Sequence, residues 1–290
     1  MVGEQWLSDF LNNSHILQRI KVENFLLVSL GLRPCSQMTL PAELQNAESM
    51  AKAIDEQLFP KIRSLQSEPD PRKKLMLIGA LKKEMRRAYE RFVKDTETYR
   101  SHLSWIERMG LRKMVVDVRP TVEELYIFKD RDIGKKLRKL MKDREKYRAE
   151  AVASARPGME RSRYVFPEEF QGSWIRDIGG ILGYPACCVE AYASNREEGI
   201  NVEFRASRQI EEAAKAGTVN PLTYFVGYFF PCSPNCDEAL ARGKRCLERL
   251  SELHPGLGEI YLKSVAENME NVRHQPEITE KYKARARGDG

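Results

Sequence analysis

Four of the six cysteines fall in two short segments, Gly183-Tyr-Pro-Ala-Cys-Cys-Val-Glu190 and Pro231-Cys-Ser-Pro-Asn-Cys236. Both have the grammar of a helix start. In the second, Ser233 is a favoured N-cap, Pro234 suits the first helical position, and Cys236 takes the third. In the first, Gly183 turns the chain and Pro185 opens a helix, so Cys187 and Cys188 occupy its first turn. Helical side chains lean toward the N-terminus, so these thiols project past the helix end. There, unpaired N–H groups and the positive end of the dipole favour thiolate. Asp237 and Glu238 complement the same dipole, but their charge opposes ionisation of Cys236. Two such ends facing each other would gather Cys187, Cys188, Cys232 and Cys236 around one four-sulfur pocket.

Four thiolates suit zinc or an iron–sulfur cluster. A cluster spreads its sulfurs over several ångströms and so accommodates adjacent cysteines better than one small ion. The expectation is therefore an iron–sulfur centre of the 4Fe–4S type, with zinc as the alternative. The Cys-x-x-x-Cys spacing is a less specific metal signal than Cys-x-x-Cys. A thiol–disulfide redox site with a Cys188–Cys232 bridge competes with the metal readings. Four buried, reduced cysteines that only pack are the simplest structural account.

Glu190 lies on the same helical face as Cys187 and is a candidate supporting group or proton carrier, with a surface ion pair as its plainer role. Tyr184 is a flanking candidate, as is Tyr192, and both suit packing. Cys246 stands ten residues beyond Cys236 on one helix, about 15 Å along the axis, which makes it core. Cys35 is alone in what reads as a loop. The four histidines, His15, His102, His254 and His274, are scattered away from both segments. That disfavours a Cys/His zinc site and a Cys–His nucleophile. No phosphate-binding Gly-rich loop, His-Glu-x-x-His or Gly-x-Ser-x-Gly is present, so nucleotide, zincin and hydrolase readings lack support.

The elements that must position the cysteines are mostly helical. Apolar residues recur at helical spacing from Trp6 to Leu30, from Met50 to Leu58, and from Leu75 through Phe92 toward Trp105. Pro41 reads as a helix start and Pro60 as a break or bend. Residues 1–110 therefore predict a helical bundle, a candidate surface for a protein partner. Met114–Val118 and Leu125–Phe128 read as strands. A helix with Ile133, Leu137, Leu140 and Met141 follows. It carries nine Lys/Arg against three acids between Arg131 and Arg148. Lys135, Lys136 and Lys139 are candidate anion contacts, for RNA or another anion. A solvated face is the simpler account, and Tyr147 alone could serve as a stacking platform. Residues 151–163 read as a linker. Trp174–Leu182 predicts a short apolar helix that delivers the chain to Gly183, and Ser207–Ala216 a further helix.

The expected fold is α+β and predominantly helical: a bundle over 1–110, a cysteine-motif domain with a small sheet over 111–275, and a flexible charged tail over 276–290. The net charge of +6 permits an anionic partner without requiring one. No apolar run is long enough to span a bilayer, and no secretory leader is apparent, so the expectation is no membrane and a cytoplasmic setting. Disulfides are disfavoured there, and clustered cysteines more often bind metal or do redox work.

At Gly183-Tyr-Pro-Ala-Cys-Cys-Val-Glu190 and Pro231-Cys-Ser-Pro-Asn-Cys236 the chain resembles an uncharacterised, largely archaeal family, domain of unknown function 483. The resemblance covers roughly residues 125–253. It implies that Cys187, Cys188, Cys232 and Cys236 belong to one site, and it implies no activity.

Overall fold

The computed structural model describes residues 4–154, 156, 163 and 165–287, with the side chains of Glu4 and of residues 282–287 left aside. The chain divides into two compact units: Met1–Ser29 with Cys35–Lys129, and Leu30–Pro34 with Asp130–Gly290. This boundary differs from the expected break at residue 110, because strand pairing ties the middle of the chain to its beginning.

In the first unit, helix α1 (Glu4–Asn12) is followed by α2, which runs as Gln18–Ile20, a π-helical turn Lys21–Leu26, and Leu27–Ser29. Strand β1 (Cys35–Leu40) comes next, then α3 (Ala47–Ser67) and α4 (Pro71–Tyr89). The chain goes on through a second π turn, Glu90–Lys94, to α5 (Glu97–Arg108), β2 (Arg112–Arg119) and β3 (Val122–Phe128). The sheet order is β1-β3-β2, both pairings antiparallel. β3 is the central strand, which accounts for its apolar run: Leu125, Tyr126, Ile127 and Phe128 are all buried.

Asp70 caps α4 by accepting from Arg72 N at 2.8 Å. Thr96 caps α5 by accepting from Tyr99 N at 3.2 Å, which interrupts the long helix expected to run from 71 toward 105. Phe10 packs against Phe25 and Trp105, with ring centroids 5.4 and 4.8 Å apart.

Two expectations are corrected here. Cys35 begins β1, paired with Phe128, and is not in a loop. Pro41 does not start a helix; α3 begins at Ala47 and keeps Pro60 inside it.

The second unit is helical: α6 (Arg131–Ser154), a 3-10 turn Pro167–Phe170, α7 (Gly172–Leu182), α8 (Ala186–Glu197) and α9 (Val202–Lys215). A second 3-10 turn, Pro221–Tyr224, leads into α10 (Asp237–Leu253), α11 (Pro255–Arg273) and α12 (Gln275–Arg287). α6 buries Leu137, Leu140 and Met141 and packs beside α7. Asn201 caps α9 by accepting from Phe204 N at 2.8 Å, so that helix begins ahead of Ser207. Gln275–Arg287 forms a helix against α9 and α11 where the sequence suggests a flexible tail. The linker expected over 151–163 lies largely outside the described residues.

Candidate metal centre

Two helix starts build the site. α7 ends in a left-handed Gly183 (φ 76°), whose N–H bonds Gly180 O at 3.1 Å. A Cβ at Gly183 would lie 2.4 Å from Pro34 Cδ, so the turn requires glycine both for its φ and for its space. Arg33 Nε donates to Leu182 O at 3.2 Å, and Arg242 donates to Gly183 O, so two guanidiniums hold the carbonyls that precede the cysteines. Tyr184 packs its ring 5.0 Å from Phe229, and its hydroxyl accepts from Arg33 at 3.5 Å. Pro185 is then the N-cap of α8, and Cys187 and Cys188 fall at its second and third residues. At Gly179, Val189 packs where a Cβ would stand, 2.7 Å away, and this brings α8 close against α7.

The second start differs from the expectation. Ser233-Pro234-Asn235 forms a turn closed by Cys236 N donating to Ser233 O at 3.2 Å, and Cys236 itself is the N-cap of α10. Ser233 therefore does not cap the helix, and Cys236 is not its third residue. Upstream, Tyr228 adopts a left-handed φ of 58° and redirects the chain toward Phe229, Phe230 and Cys232. α10 is seated by Gly243, where a Cβ would meet Leu222 O at 2.0 Å, so the helix rests directly on the backbone of the 3-10 turn. Tyr261 fixes that turn's exit by donating to Phe225 O at 2.9 Å.

The result is a compact sulfur cluster. The Sγ atoms of Cys187, Cys188, Cys232 and Cys236 all lie within 4.8 Å of one another. Cys187 and Cys188 are 3.8 Å apart, Cys187 and Cys236 3.6 Å, and Cys188 and Cys236 3.5 Å. Cys232 N–H points at Cys188 Sγ from 3.4 Å. All four are free thiols; Cys188 and Cys236 are buried and Cys187 is exposed.

Although Cys187 is exposed as a residue, desolvation by the protein around it pushes its thiol up to about 11, with the neighbouring Cys236 adding to the rise. Burial also drives Cys188 upward, against the lowering effect of the Cys232 N–H. At Cys236 burial again opposes ionisation. The Ala239 backbone N–H and the other three thiols outweigh it, so Cys236 is held below the ordinary thiol value. Arg205 is a charged group that interacts electrostatically with the sulfurs. Burial lowers its basicity, while the thiols of Cys232 and Cys188 act to raise it, and it donates to Pro231 O at 3.2 Å.

Other candidates lie elsewhere. Glu190 is exposed and paired with Arg176 at 2.6 and 2.8 Å, so it serves a surface clasp between α7 and α8. Cys246 is buried in the α10 core, where burial lifts its thiol to about 11. Lys135, Lys136 and Lys139 are exposed on α6, with Lys135 bonded to Asp132 at 2.7 Å. Arg33, Arg205 and Arg242 were not legible as site residues. Only Arg242, six residues into the cysteine-led helix, has a sequence position that hints at its place.

Fold and site thus define a mostly helical protein with a small antiparallel sheet and four clustered cysteines that can bind a metal. Residues 158–255, which contain both cysteine segments, match the family model described as "Protein of unknown function (DUF483)". The match begins after β3 and α6, which the sequence resemblance had included. An uncharacterized protein of Methanocaldococcus jannaschii, MJ1106, is 29% identical over 90 residues, covering 29% of this chain and 48% of that protein. The chain thus spans about half the length of this curated relative. No solved structure matches. Among the described residues, no helix is long and apolar enough to cross a membrane.

Proposed function

We propose that the protein holds a single tetrahedrally coordinated metal ion, zinc, on Cys187, Cys188, Cys232 and Cys236, and that this centre staples the starts of α8 and α10 together. The observation that carries the reading is the sulfur spacing. A zinc–thiolate tetrahedron with bonds of about 2.3 Å has sulfur–sulfur edges of about 3.8 Å. The separations of 3.8, 3.6 and 3.5 Å match that edge. A 4Fe–4S cubane needs ligand sulfurs about 6 Å apart, and the 4.8 Å limit on this cluster falls short of it. The donor set is all sulfur with no open oxygen or histidine position, as in structural rather than catalytic zinc sites. Zinc bound there supplies cross-linking energy to the fold and has no redox chemistry of its own.

The test is anaerobic purification followed by metal and sulfide analysis, with Cys236→Ser and Cys246→Ser compared. The expected result is one zinc per chain and no acid-labile sulfide, metal lost in Cys236→Ser and retained in Cys246→Ser. Brown protein with iron and sulfide in equal amounts would instead establish the cluster and overturn the single-ion reading. Metal-free protein that forms a Cys188–Cys232 disulfide on mild oxidation would establish the redox reading.

A further inference from the structure

Arg205, on α9, ends on the backbone of the cysteine site itself. Its Nη2 donates to Pro231 O at 3.2 Å. That carbonyl belongs to the peptide bond whose N–H, on Cys232, points at Cys188 Sγ from 3.4 Å. The bond is trans, so its C=O and N–H face opposite ways across one rigid plane. The guanidinium therefore grips one edge of a peptide whose other edge is aimed at the most buried of the four sulfurs, that of Cys188, 1% exposed. Arg205 is half-buried, and its Nε is buried without an acceptor. Glu203, two residues before it on α9, is taken by Arg196 at 2.5 Å. The groups that bear most on its charge are the thiols of Cys232 and Cys188 and the phenols of Tyr192 and Tyr224, none of them a carboxylate. A half-buried cation held without an anionic partner is costly, and here it is held against the site.

We infer that Arg205 is the positioning residue of the metal centre: it holds the Pro231–Cys232 peptide with its N–H on Cys188, and it supplies the positive charge that an all-thiolate ligand set lacks. The inference rests on the single-ion reading above, in which four thiolates outweigh the charge of one divalent ion. A cation on the carbonyl strengthens the N–H donor at the other edge of the same peptide, because linked hydrogen bonds polarise one another. Cys188 is the sulfur that most needs such a donor, since as a thiolate it has the least access to water. The other sulfurs are provided for differently. Cys236 takes the Ala239 backbone N–H, and Cys187 is open to solvent. The residue touches no ligand sulfur directly in this account; it acts through the peptide.

The test is competition for Zn²⁺ and Co²⁺ between a chelator and the full chain, prepared metal-free under reducing, anaerobic conditions. Arg205→Met should weaken both ions about 10–100-fold, the range usual for losing a group that orients a ligand. Arg205→Lys keeps the charge and should recover part of that loss. Arg205→Gln keeps a donor for Pro231 O without the charge; it should fold and still bind more weakly than wild type, which preserves the test should the methionine variant not fold. The cobalt–thiolate charge-transfer band should move to lower energy in Arg205→Met, because a sulfur with a weakened donor gives up an electron more readily. A tie that only supports the fold would leave that band in place in the folded, loaded protein. Arg208→Met, exposed on the same helix and paired with Glu212, should change neither affinity nor band. Wild type that binds one ion while Arg205→Met and Arg205→Gln bind as tightly overturns this inference alone. So does a loss of metal that only follows a loss of helix content by circular dichroism, with the band unmoved. Wild type that takes up neither ion overturns the single-ion reading and this inference with it.

Discussion

Gly183→Ala tests the construction of the cysteine turn most directly, because the structure supplies an internal control. Gly183 and Gly199 share the same left-handed φ of 76°, but a Cβ at Gly199 meets nothing within 4 Å, whereas at Gly183 it lies 2.4 Å from Pro34 Cδ. Forcing alanine into the left-handed region costs about 1–2 kcal/mol, and the loss of glycine's freedom in the unfolded chain returns about 0.4–1 kcal/mol of that. Gly199→Ala should therefore destabilise by about 1 kcal/mol. At Gly183 the proline ring is stiff, and Leu182 O and Gly183 O are tied to Arg33 and Arg242, so the clash adds an overpacking cost of about 1–3 kcal/mol. The total is about 2–4 kcal/mol, and the turn that launches Cys187 and Cys188 shifts with it. Urea unfolding followed by far-UV circular dichroism measures both variants, and metal content per chain reports whether the sulfurs still converge. Pro34→Ala added to Gly183→Ala should recover part of the loss. If Gly183→Ala costs no more than Gly199→Ala and retains full metal, the contact with Pro34 does not position the site.

Two further predictions concern the first unit. His102 is buried beside Phe25, and burial lowers its pKa to about 4 despite the bond between Nδ1 and Thr98 O at 2.7 Å. The unfolded chain then binds the proton first, so stability should fall as pH drops from about 6.5 to about 4, by roughly 3 kcal/mol over the window. Denaturation midpoints at stepped pH should show this slope in the wild type and lose it in His102→Phe; an unchanged slope in the variant would place the titration elsewhere. Glu123 is 1% exposed, with Lys94 Nζ at 2.6 Å and the hydroxyls of Tyr99 and Tyr89 donating to it at 3.2 and 3.4 Å. Glu123→Ala strands a half-buried cation and two phenols, and should cost about 3–5 kcal/mol by equilibrium unfolding. A loss below about 1 kcal/mol would mean that water takes over these partners freely.

The helices were legible from their apolar stripes, as in α4 behind Asp70 and in α10 with Ala239, Cys246 and Leu250 all buried, while the starts of α9 and α10 were misplaced. β3 was legible because a central strand is apolar on both faces. β1 was not, because Ser36, fully buried in its strand, breaks the alternation that marks a half-buried strand. Its hydroxyl donates to Asn24 O at 2.9 Å, a partner that no local pattern announces. β1 pairs with β3 and so ties Val122–Phe128 to the beginning of the chain, a link the sequence pattern does not show. The four cysteines were legible from their segments. The charged groups around them were not, because Arg33 and Arg205 come from distant stretches with no motif.

The sequence preference for a cluster over a single ion turned on the vicinal pair, and the geometry of that same pair is what supports the single ion proposed above. Cys187 and Cys188 are consecutive at the start of α8, where both Cα–Cβ bonds tilt toward the helix end, so the two sulfurs converge over the axis at 3.8 Å instead of diverging. Cys236, as the N-cap of α10, meets both of them within 3.6 Å. A divalent ion with four thiolates carries a net charge of −2, and such a charge is stable in a half-buried site only with compensation. For the proposed zinc ion the compensating groups would be the N-termini of α8 and α10 and the Arg205 guanidinium, whose charge interacts with the sulfurs of Cys232 and Cys188. On that reading the same groups account for two helix starts meeting at one site. Each start would then supply sulfurs together with the unpaired N–H groups that favour them as metal-bound thiolates.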